Sequence, residues 1–192
     1  RVINDDRIAP GGGFDPHPHR DMEIVTYVLA GGVAHRDSMG HESVIRAGQW
    51  QKMSAGTGVV HAEYNASKTD PLHLLQIWIL PEKKGLTPEY DEKEFPAADR
   101  EGRWQLVGTP DGRDGTLHIH QDVRLSVANV RPSDRLDYTL APGRGAWFHV
   151  ATGEATVNGI ALHAGDAVAI EGESTIDVQG NQPGELLLFD LG

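Results

Sequence analysis

The chain has 192 residues, 39% hydrophobic and 23% charged, with a formal charge of −11 at pH 7 and no cysteine. That length allows one large domain or two small ones, each with its own core, and no apolar run approaches the roughly 18 residues of a helical membrane span. The acidic balance argues against direct nucleic-acid binding, which is driven by cation contact with phosphate. Lack of cysteine excludes disulfides and thiolate sites and fits the cytoplasm, so any metal must be held by His and carboxylate.

In chain order, Arg1-Val2-Ile3-Asn4 reads as the inside of a strand, and an N-terminal segment is expected before it. Residues 14–23 follow as F-D-P-H-P-H-R-D-M-E. His17 and His19 lie two apart, and in an extended strand such residues share a face. Pro16 and Pro18 bias the residues before them toward extended backbone and give a sheet no N–H, so this strand is expected at a sheet edge or mouth. Short β-branched runs come next, at residues 23–29, 33–37, 43–46, 59–64, 73–80 and 104–107. A second set lies at 116–121, 124–130, 136–140, 146–151, 154–158, 167–170, 175–179 and 185–190. Asn158-Gly159, between A-T-V and I-A-L, is a two-residue hairpin signal. No window has a helical period, and many short strands at near-regular spacing imply an all-β sandwich or barrel.

Residues 82–103 interrupt this pattern. They are charged, contain Pro88 and Pro96, and read as a linker between two β units, residues 1–110 and 111–192. An internal echo supports two units: V-L-A-G-G at 28–32 matches V-A-T-G at 150–153, and I-R-A-G at 45–48 matches L-H-A-G at 162–165.

His61-Ala62-Glu63 again places two ligand types two apart, here imidazole and carboxylate. Two facing strands would deliver three His and one carboxylate to one ion and leave two octahedral positions open, as a catalytic site requires. Spacing alone allows either Glu63 or Glu23, four residues beyond His19, to be the carboxylate ligand, and a Glu23 that is not a ligand would orient an imidazole from behind. Counting from the repeated glycines places Thr139, Ala141, Gly145, Val178 and Gly180 at the matching positions of the second unit, where none can bind metal. His118 and His120 read as a surface or interdomain strand. His35, His41, His73, His149 and His163 read as hydrogen-bonded or solvent-facing, His35 being the one able to line a pocket mouth. The four tryptophans read as core.

Gly11-x5-His17-x-His19-x3-Glu23 resembles the first cupin motif, and Gly48-x5-Ser54-x-Gly56 with His61-x3-Asn65 the second. More closely, G-F-D-P-H-P-H-R-D-M-E, M-S-A-G-T-G-V-V-H-A-E-Y-N and L-H-L-L-Q-I-W-I-L-P resemble the pirin family, and within it the bacterial pirin-like quercetinases. The resemblance implies a bicupin, two tandem jelly-roll β-barrels with metal only in the first, and about one strand with some loop missing before Arg1. It implies His17, His19, His61 and Glu63 as ligands of one divalent transition metal, Fe(II) first, with Mn, Ni, Co, Cu and Zn also suited to these donors. The activity it implies is cleavage of a flavonol such as quercetin with O₂; Glu63, where it can loosen from the metal, is the candidate general base, and a cytoplasmic monomer is expected. Two other classes stay open: a metal- or redox-responsive regulator acting through a protein partner, and a different metal-cupin reaction such as isomerisation or decarboxylation.

Overall fold

Glycine-punctuated runs of alternating side chains form nineteen strands in the computed structural model, which describes residues 1–192. The chain divides into two compact units, Arg1–Phe95 with Ile119–Gln121, and Pro96–His118 with Asp122–Gly192. Each is a pair of β-sheets, the two-layer arrangement expected of a cupin.

The first unit contains β1 (Val2–Ile8), β2 (Gly13–His19), β3 (Glu23–Ala30), β4 (Gly32–Asp37), β5 (Glu42–Arg46), β6 (Gln49–Ser54), β7 (Val59–Asn65), β8 (Leu72–Ile79) and β9 (Glu89–Glu94). One sheet has the order β1-β8-β3-β6-β9 and the other β2-β7-β4-β5. The proline-bearing β2 is therefore an edge strand, as its missing N–H groups require. Side chains from the two sheets meet in two apolar clusters. Val28, Val33, Ile45, Leu72 and Leu74 form one; Met22, Ile24, Met53, Ala55 and Val59 form the other. Fully burying each Val, Leu, Ile or Met side chain among them contributes about 1.5–3 kcal/mol. Between the clusters along β3, β6 and β8 the inward positions turn polar at Thr26, Gln51 and Gln76, all buried. That polar band is where the site lies.

Two strands escape the sequence pattern. Part of the stretch 82–103 is not irregular: Glu89–Glu94 pairs antiparallel with Gln49–Ser54. Its sequence, E-Y-D-E-K-E, hides it because an edge strand keeps charged side chains in solvent. Q-W-Q-K-M-S, the sequence of β6, is hidden because its buried outward face carries Trp50, Lys52 and Ser54. Conversely, only Leu117–His118 of the run 116–121 is strand.

The second unit contains β10 (Gln105–Thr109), β11 (Leu117–His118), β12 (Val123–Val130), β13 (Arg135–Thr139), β14 (Gly145–Thr152), β15 (Glu154–Val157), β16 (Ile160–His163), β17 (Ala167–Ile170), β18 (Thr175–Gly180) and β19 (Gly184–Leu191). Its sheets run β11-β10-β12-β19-β14-β17 and β13-β18-β15-β16 around a core that includes Phe148, Val150, Ile176, Val178, Leu186 and Leu188. Asn158 (φ 46°) and Gly159 (φ 82°) join β15 to β16 in the left-handed conformation that a two-residue hairpin needs. The internal echo is physical. Gly31 and Gly153 have φ of 80° and 76°, and a Cβ on either would meet a proline carbonyl oxygen, Pro71 at 2.9 Å or Pro183 at 2.3 Å. Likewise Gly48 and Gly165 donate their N–H to Val28 and Val150, each at 2.8 Å.

Candidate metal centre

Strand parity builds the centre. In the β2–β7 pair His17 stands opposite His61 and Phe14 opposite Glu63, with one extra residue of β2 bulged between them. Without that bulge Phe14 and His17, three apart, would point to opposite faces. With it, both lie on the face that carries His61 and Glu63, Phe14 at its exposed rim. The imidazoles of His17, His19 and His61 converge, with ring centroids 4.8, 4.4 and 4.9 Å apart pairwise, and they offer three ligand atoms within 4.8 Å of one another. His17 and His19 are half-buried, whereas His61 and Glu63 are each only 2% exposed. Glu63 groups with His61 and His35 in a second set of three at the same spacing.

The donor chemistry fits a divalent transition metal. Neither nitrogen of buried His61 has a hydrogen-bond partner, nor does Nε2 of His19. Buried imidazole nitrogens are ordinarily paired, and several unpaired ones aimed at one point indicate a missing partner. His17 donates Nδ1–H to the carbonyl oxygen of Asp15 at 2.7 Å, which leaves the Nε2 lone pair free. Burial pushes the His61 imidazole down to about 4, against the opposing pull of Glu63, and burial followed by the nearby His17 lowers His19. Burial alone would raise the Glu63 carboxyl, but His35, His61 and the Gln76 amide outweigh it and hold the group below its usual range. His19 and His61 neutral with Glu63 ionised is the protonation state that metal ligation requires.

Around the donors stand residues that the sequence reading did not assign to the site. Gln76 donates Nε2–H to Oε2 of Glu63 at 2.7 Å, and Trp78 donates Nε1–H to Oε1 of Gln76 at 3.0 Å. The Trp78 ring also stands edge-on to His19 at 5.1 Å. The available signal was Gln76 itself, a polar residue in the middle of an apolar strand. His35 is not at a mouth: it is 1% exposed, with Nδ1 3.9 Å from Oε1 of Glu63. A depression of about 410 Å³ lined by Pro18, His19, Arg20, Gly58 and Val60 gives approach to His19.

Glu23 lies elsewhere. Its Oε2 accepts from Ser54 Oγ (2.9 Å), from the backbone N–H of His120 (3.2 Å) and from the His120 ring at Nδ1 (3.1 Å), and Lys52 Nζ is 3.5 Å away. The imidazole that it orients is therefore His120, which is not one of the four expected ligands. The cause is Asp21, whose φ of 50° reverses the chain between β2 and β3, so counting from His19 loses parity. In β3 it is Ile24 and Thr26 that share the inward face, and Glu23 points the other way.

Residues 1–79 match the family model described as Pirin, and residues 106–191 the one described as Quercetinase C-terminal cupin domain. The chain is 48% identical over 191 residues to a protein of Escherichia coli (strain K12) named quercetin 2,3-dioxygenase, covering 100% of this chain and 81% of that one. It is 40% identical over 192 residues to a pirin-like protein of Caulobacter vibrioides, covering 99% and 82%. The crystal structure of the bacterial pirin YhhW from Escherichia coli in complex with nickel(II) superposes with a TM-score of 0.93 at 46% identity, covering 100% of this chain and 81% of that one. These likenesses span both sheet pairs, and the chain belongs to the pirin family of bicupins.

Proposed function

We propose that the protein is a metal-dependent dioxygenase that cleaves flavonols such as quercetin with O₂ at a centre held by His17, His19, His61 and Glu63. The observation that carries this reading is the convergence of partnerless imidazole nitrogens beside a buried, ionised carboxylate. A relative named quercetin 2,3-dioxygenase supports the substrate class, and a nickel(II)-bound pirin supports a divalent ion.

Bound by these donors, a divalent ion supplies Lewis acidity that lowers the pKa of the flavonol hydroxyl and makes the electron-rich ring reactive toward O₂. These His and carboxylate donors suit Fe(II), Mn, Ni, Co, Cu and Zn alike. Glu63 would accept the hydroxyl proton on Oε1, the oxygen that Gln76 leaves free, when that oxygen is not engaged with the ion. Gln76 keeps the carboxylate from swinging away by bonding Oε2, and Trp78 holds Gln76 in turn. Phe14, 40% exposed and edge-on to His17 with centroids 6.4 Å apart, offers the incoming aromatic ring an apolar face. The cluster of Met22, Ile24, Met53, Ala55 and Val59 keeps water from the inner side.

The test is joint depletion. Protein loaded in turn with Fe, Mn, Co, Ni and Cu is mixed with quercetin in air, and flavonol absorbance and dissolved O₂ are followed together. Equimolar loss with at least one metal supports the reading, and no turnover with any of them refutes it.

A further inference from the structure

We propose that the pocket holds a second, inner donor set, His35, His61 and Glu63, able to bind a divalent cation without His17 and His19. The inference rests on the reading of this pocket as a metal centre and adds a ligand to it.

The inner set is the deeper one. All three residues are buried, and their ligand atoms lie within 4.8 Å of one another. The His35 side chain has no exposed surface, and its Nδ1 has no hydrogen-bond partner; it faces Oε1 of Glu63 from 3.9 Å, too far for a hydrogen bond. A buried imidazole whose role was packing alone would have that nitrogen satisfied.

The other side of the ring is built as a ligand's is. His35 Nε2 lies 3.3 Å from Oδ2 of Asp37, whose side chain is also fully buried. Asp37 is fixed in turn by the backbone N–H groups of Met39 and His41, which donate to Oδ1 at 2.8 and 3.1 Å. With Nε2–H donated to that anchored carboxylate, a neutral His35 would turn its Nδ1 lone pair to the far side when an ion is bound, the usual support for a ligating histidine. Tyr90 stacks on His35 at 4.8 Å with planes 24° apart and holds the ring's orientation.

His61 belongs to both the inner set and the outer trio, so the two sets draw on one imidazole, and one ion per chain is the expected loading. An ion that loses the half-buried His17 and His19 can be retained by donors already in position behind them.

Co(II) is the probe, read by its visible ligand-field spectrum and by competition with a chelator. The wild type should take one Co(II) per chain. The double variant His17→Ala/His19→Ala should still take one, more weakly and with a changed spectrum. Adding His35→Ala should abolish that binding, and adding Asp37→Asn instead should weaken it about 10- to 100-fold. If His35→Ala fails to fold by circular dichroism, His35→Phe keeps a ring without a donor and serves in its place. A double variant that binds no Co(II), or a triple variant that binds as tightly as the double, overturns the proposal; the second result would leave His35 as a neighbour of Glu63 only. A wild type that takes no Co(II) refutes the metal-centre reading itself.

Discussion

Gln76 bonds Oε2 of Glu63 at 2.7 Å, so the aim of the candidate carboxylate is set by a residue on the opposite sheet. Gln76→Leu removes that restraint and leaves a buried carboxylate oxygen unpaired. Metal affinity is expected to fall about 10- to 100-fold, the usual cost of losing a partner behind a ligand. Trp78→Phe should produce a smaller loss through Gln76. Chelator competition on folded variants measures both.

Glu23 separates stability from metal binding. Its carboxylate and the Lys52 ammonium are each 1% exposed, and breaking a buried pair costs about 3–5 kcal/mol when the remaining charge has no other partner. Lys52 keeps Glu89 at 3.2 Å, so Glu23→Gln should cost less than that. Metal content should stay at the wild-type level. Loss of metal with the fold intact would show that Glu23 acts on the centre.

Tyr138 gives the second unit a pH signature. Burial, and then the hydrogen bond that it donates to Oδ2 of Asp190 at 2.9 Å, push its phenol from 10.0 up to about 12. A folded-state value above the unfolded one stabilises the fold fully below pH 10, and that contribution disappears as pH rises toward 12. Tyr138→Phe should therefore lower stability near neutrality by about 1 kcal/mol and shrink the difference from wild type across that window. Denaturant midpoints at pH 7, 10 and 11.5 check the sign.

What could be read from the sequence was what strand alternation dictates. His17 with His19 and His61 with Glu63 share faces because they lie two apart, and the prolines of β2 assign it to an edge. Gln76 and His35 could not be placed, because they reach the centre from β8 and β4 only once the sheets close. Glu23 was misplaced because a single left-handed residue, Asp21, resets the count. The strand at Glu89–Glu94 was missed because its solvent-facing charges look like a linker, although it carries Tyr90 to the wall of His35.

Simultaneous measurement of quercetin and O₂ consumption by metal-loaded wild type and by His61→Ala treated identically tests whether the metal centre carries the reaction. His61 is common to both donor sets, so its loss removes the centre whichever set holds the ion. The wild type should consume the two in equimolar amounts and the variant neither above background, with bound metal lost in parallel. Equal consumption by the two proteins, or none by wild type carrying a full complement of metal, would contradict that role of the centre.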